Sequence, residues 1–243
     1  MSCLDSHCHL DLFDNMPEFL HDWYNYDLSI ITMTTTPLAY KKNQEIFEKY
    51  PKIYVALGLH PQLIVEREKE LNLLLNHIET AKFIGEIGLD LGPRYYKSIN
   101  AQIQALNMII DRCDWYGDKI VSVHSLRSAE IVLEILRSNI RNQSNKYIMH
   151  WFTGSSKALD EAVELGCFFS INSRMLHSKL GRKNIVRIPK EKILLESDAP
   201  FTIKFSSSKD HCSYINQMVK MICEIKEEDI SAQIKMNGNI LLS

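Results

Sequence analysis

His7 and His9 stand two residues apart in the stretch Leu4-Asp5-Ser6-His7-Cys8-His9-Leu10, at the end of a short apolar run. An extended chain projects residues i and i+2 to the same face, so the two imidazoles converge. Two imidazoles beside a carboxylate make half of a divalent-metal site. His60 follows a second run, in Gly58-Leu59-His60-Pro61, while His124 ends another and His150 lies within one. The carboxylates Glu86 and Asp90 fall in Gly85-Glu86-Ile87-Gly88-Leu89-Asp90, and Asp198 falls in Leu195-Glu196-Ser197-Asp198-Ala199-Pro200. A glutamate inside an apolar run such as 83–89 is costly to bury without a cation or hydrogen-bond donors.

Each position also has a blander explanation. His124 and His150 could be hydrogen-bonded core residues, His60 could shape the turn before Pro61, and Asp198 could cap a turn. His21, His77, His177 and His211 fall outside the pattern and read as structural or surface residues. What favours chemistry is the shared placement, which depends on the elements around these residues.

Eight short apolar or β-branched runs can be marked as strands: 2–8, 28–35, 53–59, 83–89, 120–123, 147–152, 167–171 and 193–195. Helical periodicity marks segments at 38–50, 67–80, 100–115, 129–136 and 156–165, the last closed by Gly166, and two more at 212–225 and 228–237. Residues 139–145 read as a surface loop and 202–213 as a polar loop after the eighth strand. Alternation of strands and helices predicts a parallel (β/α)8 TIM barrel, α/β in class, as a single domain over 1–243. A doubly wound sheet would share the alternation, but GxGxxG and P-loop patterns are missing, as is a linker rich in Gly, Pro or Ser. In a barrel, all the singled-out residues lie at the C-terminal ends of strands, the face on which such folds build their sites.

Composition narrows the function classes. At 45% hydrophobic and 24% charged residues the chain reads as an ordinary globular protein. Its formal charge of -2 supplies no general basic field, so contact with nucleic acid must use a local patch. Six cysteines show no CxxC pair. The early acids and histidines do not resemble a signal peptide, and no apolar run approaches the ~20 residues of a membrane span. The expected address is the reducing cytoplasm, without a membrane partner.

Four histidines and two carboxylates suit two divalent ions, with Glu86 as the natural bridge. Two such ions about 3.5–4 Å apart can bind a phosphodiester, generate a hydroxide and stabilise the leaving oxygen. Asp198 could ligate one ion and hold the proton of the attacking water. Nitrogen-rich ligation favours Zn2+ or Mn2+, whereas Mg2+ prefers oxygen.

The ordered motifs DSHCHLD, GLHP, GEIGLD, VHS, MHWFTGS and LLESDAPF resemble the TatD family of metal-dependent deoxyribonucleases, within the amidohydrolase-like barrels, from the first residues to about Phe201. The resemblance implies metal ligation by His7, His9, Glu86, His124, His150 and Asp198. It implies a substrate-binding and catalytic role for His60, and Mg2+- or Mn2+-dependent DNase action, often 3′-to-5′ on single-stranded DNA. Thr34-Thr35-Thr36-Pro37, ALGLHPQL at 56–63, MHWFTGS at 149–155 and Leu165-Gly166-Cys167 are similar to the TatD-like subunit of Qat anti-phage defence systems. That likeness implies partner subunits, among them an ATPase and a QueC-like protein.

Two departures from the family pattern stand out. The usual His-x-Arg after strand five is here His124-Ser125-Leu126-Arg127, and the family stretch after Asp198 with proline, Arg-Gly and Asn-x-Pro is absent, the polar loop 202–213 replacing it. Arg94, Arg127 and Lys204 are the cations placed to touch phosphates, with Arg127 assigned to substrate binding. Two alternatives remain. One is a small-molecule or nucleotide hydrolase of the same barrel class, against which strand four offers Glu86 in place of the carboxylated lysine common there. The other is a partner-gated or non-catalytic subunit.

Overall fold

The computed structural model describes residues 3–243; Ser2, the expected start of the first strand, lies outside the described residues. Eight strands alternate with helices along the chain: β1 Cys3–Cys8, α1 Met16–Leu20, β2 Leu28–Met33, α2 Pro37–Phe47, β3 Ile53–Ala56, α3 Leu71–His77 and β4 Phe83–Asp90. There follow α4 Ile99–Tyr116, β5 Ile120–Leu126, α5 Ala129–Asn139, β6 Lys146–His150, α6 Ser156–Glu164, β7 Phe168–Ile171, α7 Ser173–His177 and α8 Lys179–Arg187. β8 Ile193–Leu195, α9 Ser208–Lys226 and α10 Ser231–Leu242 complete the order.

All strand pairings are parallel, in the order β3-β2-β1-β8-β7-β6-β5-β4. The remaining gap is bridged by Leu57 against Ile84, and the Glu86 N–H donates to Thr34 O at 3.2 Å. The fold is therefore a (β/α)8 barrel, as the alternation predicts.

The floor of the barrel is a ring of apolar side chains drawn from every strand, including Leu4, Ile31, Phe83, Ile120, Ile148, Phe168 and Leu194, with Leu241 of α10 packed against it. A strand turns every second residue to the same side. Two positions above the floor come Ser122, His150, Ser170 and Glu196, and two above Ser122 comes His124. On β5 to β8 the inward face thus changes from apolar to polar along the strand. β1 and β4 depart from that simple count. Their registers shift between Asp5 and Cys8 and between Ile84 and Ile87. Such irregularities re-aim side chains, and here they turn His7 and Glu86 toward the polar layer.

Several boundaries differ from the sequence-based expectations. The third strand stops at Ala56, and the helix expected over 67–80 shortens to Leu71–His77 behind a separate turn at Glu68–Glu70. The polar loop expected over 202–213 is helical from Ser208, because Ser207 caps α9 by accepting the Asp210 N–H at 3.2 Å. The two helices between β7 and β8 were not anticipated. Each starts from a polar cap, Asn172 for α7 and Ser178 for α8. Among the described residues no helix is long and apolar enough to cross a membrane.

Gly88 is paired with His124, and a Cβ there would lie 2.1 Å from His124 O on a backbone with φ +139°. Gly88→Ala is expected to lower the unfolding free energy by about 2–3 kcal/mol through this overpacking, measured by urea denaturation.

Candidate metal centre

The expected site residues His7, His9, His60, Glu86, His124, His150 and Asp198 come together at the C-terminal mouth of the barrel, with Glu86 at the centre. Glu86 Oε2 lies 3.4 Å from His7 Nε2 and 3.4 Å from His9 Nε2. Asp198 Oδ1 faces the same two nitrogens at 4.0 and 3.7 Å. The other oxygen, Oε1, lies 2.7 Å from His124 Nδ1, 3.4 Å from His60 Nε2 and 3.7 Å from His150 Nε2. One carboxylate therefore serves two clusters with its two oxygens. His7, His9 and Asp198 could hold a metal ion by their spacing, as could His60, Glu86 and His124.

The partners of each ring indicate which nitrogen is available. His7 Nδ1 is 2.8 Å from Ser122 Oγ, and His150 Nδ1 is 2.7 Å from Glu196 Oε2. An Nδ1–H donated to those oxygens leaves the Nε2 lone pair of each ring facing the centre. His60 is the opposite case. Its Nδ1 accepts the Gln62 N–H at 3.2 Å, which places the proton on Nε2 and makes that atom a donor. By this tautomer His60 suits substrate contact better than ligation. His7 Nε2 and both ring nitrogens of His9 are buried without a hydrogen-bond partner. Buried polar atoms are costly unless satisfied, and a divalent cation would satisfy these.

Three supporting residues escaped the sequence reading. Glu196 is fully buried and binds His150, Ser170 Oγ and Asn172 Nδ2, the last at 2.7 Å. Ser122 orients His7. Asp5 Oδ1 accepts the N–H groups of His7 at 3.2 Å and Ser197 at 3.0 Å, while its Oδ2 pairs with His211 Nε2 at 2.6 Å. His211 is thus a buried structural residue of α9. Alternation from Ile120 or Leu194 would have drawn attention to Ser122 and Glu196. The Asp5–His211 pair, more than two hundred positions apart, has no local signature.

The electrostatics are those of a negative cluster held by protons. Burial opposes ionisation of Glu86, but the charges of His60 and His7 outweigh it and hold the carboxyl well below its usual range. Burial also disfavours the charged form of His124, yet its contacts with Asp90 and Glu86 raise it to about 9; Glu196 similarly raises His150 to about 10 against burial. Asp198 is pushed up to about 7, chiefly by burial. His7 goes well below its ordinary value through burial and the neighbouring His150. Protons on His124 and His150 must leave before those nitrogens can ligate, so metal uptake releases protons.

The donor set, four imidazoles with a lone pair or an exchangeable proton facing two carboxylates, fits borderline divalent ions. The model of the family described as TatD related DNase matches residues 4–241. The chain belongs to the TatD family. It is 26% identical to an uncharacterized metal-dependent hydrolase of Buchnera aphidicola over 96% of this chain and 94% of that protein. It is also 26% identical to the deoxyribonuclease TATDN3 of Homo sapiens, over 81% of this chain and 77% of that protein. The crystal structure of YjjV, a TatD homolog from Escherichia coli, superposes with a TM-score of 0.83 at 24% identity, covering 98% and 97% of the two chains. Within this family the chain is a metal-dependent hydrolase.

The suspected phosphate contacts fare differently. Lys204 is engaged by Asp14 at 3.0 Å. Arg127 stands just beyond β5 at φ +56° and is exposed, and among the described residues no hydrogen bond or ion pair ties it to the cluster. Arg94 lines a cavity of about 240 Å3 with Gln62, Asp90, Tyr95 and Leu126, and Asp90 Oδ2 is 3.3 Å from His124 Nε2.

Because Glu196 fixes His150 without facing the centre, Glu196→Gln is expected to weaken divalent-metal affinity by about 10–100-fold. Metal titration followed by calorimetry checks this. Chelation of wild-type protein previously held at about 100 times the dissociation constant should remove about 2.7 kcal/mol of stability, read as a lower melting temperature.

Proposed function

We propose that this TatD-family hydrolase is a deoxyribonuclease that cleaves phosphodiester bonds in single-stranded DNA in the 3′-to-5′ direction. The observation that carries this reading is Glu86, whose two oxygens each face a separate group of imidazoles. That arrangement suits a pair of divalent ions, Zn2+, Mn2+ or Mg2+, with His7, His9, Glu86 and Asp198 holding one and Glu86, His124 and His150 the other. Ions bound there would polarise the phosphoryl oxygens and neutralise charge developing in the transition state.

The protein's own groups divide the remaining work. Asp198, buried and raised to about 7, is poised to accept the proton of an attacking water at Oδ1. His60 presents an Nε2–H donor beside Glu86, suited to a non-bridging phosphate oxygen. Asp5 and Glu196 keep the backbone and rings in register beneath the centre.

A phosphodiester is favoured over a small-molecule amide because strand four carries no lysine near Glu86, and because a relative is named deoxyribonuclease. The resemblance of residues 34–37, 56–63, 149–155 and 165–167 to the Qat TatD-like subunit supports a further reading, that the enzyme works in the bacterial cytoplasm beside an ATPase and a QueC-like subunit against phage DNA. In that setting Arg127, exposed at the rim, would meet the substrate or a partner that gates access.

The test is cleavage of end-labelled single- and double-stranded DNA with Mg2+, Mn2+ or Zn2+. Metal-dependent release of label from the 3′ end is expected, with Asp198→Asn lowering the rate by about 10²–10⁴-fold. No cleavage by folded, metal-loaded protein would exclude the free-DNA nuclease and favour the gated subunit.

A further inference from the structure

The segment joining β7 to β8 concentrates positive charge in a chain whose formal charge is -2. Between positions 173 and 190 it carries Arg174, Lys179, Arg182, Lys183, Arg187 and Lys190 and no aspartate or glutamate. Arg187 is paired with Asp160 at 2.5 Å and Lys190 with Glu228 at 2.5 Å. Arg174, Lys179, Arg182 and Lys183 are exposed and have no ion-pair partner among the described residues. Four uncompensated cations therefore lie within ten positions.

The fold does not call for them. α8 turns Gly181, Asn184 and Ile185 inward, so its packing is satisfied by the opposite face. Its first turn holds no acid, and Lys179 and Arg182 sit in that turn, at the positive end of the helix dipole, where cations are unfavourable. Lys179 and Lys183 are also like charges at i,i+4, another small cost to the helix. Charge kept against local electrostatics points to something outside the chain that compensates it.

The position of the segment says where that partner leads. α7 starts at the C-terminal end of β7, and its cap, Asn172, accepts the Met175 N–H and donates to Glu196 Oε1 at 2.7 Å. Glu196 is the carboxylate that orients His150. Arg174 is thus two residues from a side chain tied into the candidate centre, and α8, with Lys179, Arg182 and Lys183, follows directly along the chain.

We propose that the exposed basic face of α7 and α8 is a docking surface for the phosphodiester backbone of the substrate strand, binding nucleotides beyond the bond that is cut. The proposal rests on the DNase reading for the identity of its ligand. Phosphates bound by cations release counterions, so the contribution of each contact is read from salt dependence.

The experiment compares wild type with the combined Arg174→Ala, Lys179→Ala, Lys183→Ala variant, and with a control of equal charge change, Lys41→Ala, Lys42→Ala, Lys49→Ala, on exposed positions in and after α2. Binding of a fluorescent single-stranded 20-mer is measured by anisotropy in the presence of chelator across a salt series. The α7–α8 variant is expected to bind roughly tenfold or more weakly at low salt, with a log–log salt slope shallower by about 2, since each single-strand phosphate contributes about 0.7. The control should keep the wild-type slope. Hydrolysis of bis(4-nitrophenyl) phosphate, too small to reach the patch, should be unchanged in the α7–α8 variant while KM for the oligonucleotide rises. Equal slopes for wild type and the α7–α8 variant, or an equal change in the control, would overturn the docking surface. If wild type binds the oligonucleotide through this patch but cleaves neither substrate, the docking surface stands and the nuclease reading falls.

Discussion

The molecule is arranged around the burial of one carboxylate. Glu86 is 3% exposed at the centre of a barrel whose floor is hydrocarbon, a position where an isolated anion could not be kept. It is tolerated because imidazoles from β1, β5, β6 and the loop after β3 surround both of its oxygens. Those imidazoles must in turn be held, and the buried groups behind them, Ser122, Glu196 and Asp5, do so. The demand for charge balance at one point thus propagates outward through successive layers of the structure. It accounts for the buried polar residues on the inner strand faces, which a purely structural barrel would fill with branched aliphatics.

Much of this was legible in the sequence because the barrel converts order along the chain into proximity. Apolar runs ending in His, Glu or Asp marked the strand ends, and parallel topology brought those ends to one face. The readings that fell short share a cause. His7 and Glu86 were singled out, but the register shifts in β1 and β4 that turn them inward were not, because bulges leave little trace in composition. α7 is a single five-residue helix and α8 is rich in Lys and Arg with few apolar residues, so neither stood out from a loop. The start of α9 was obscured by its serines, which looked like loop composition until Ser207 was seen to cap the helix. His211 offered no local reason to be buried; its partner Asp5 is at the other end of the sequence.

The two halves of the centre differ in how they are held. The cluster around Asp198 depends on the join between β1 and β8, where among the described residues only Asp5 and Leu195 are in register as strand partners. The join is completed by Ser6 Oγ donating to Leu195 O, the Asp198 N–H to His7 O, and the His9 N–H to Ala199 O. The cluster around His124 rests instead on β4 and β5, which stay paired from Phe83 with Ile120 to Asp90 with Leu126. One half is built on a long ladder with a single register shift and the other on a stitched seam.

That seam sets a temporal order on the birth of the enzyme. A chain emerging from the ribosome presents His7 and His9 early and Asp198 only after all eight strands have been made. The Asp5 carboxylate, which accepts from Ser197 and pairs with His211, must wait longer still for α9. Until β8 is in place the two leading histidines can meet Glu86 but not Asp198, beside an open sheet edge where β8 will pair. A complete centre is therefore finished late, only when residues from β8 and α9 have joined those of β1.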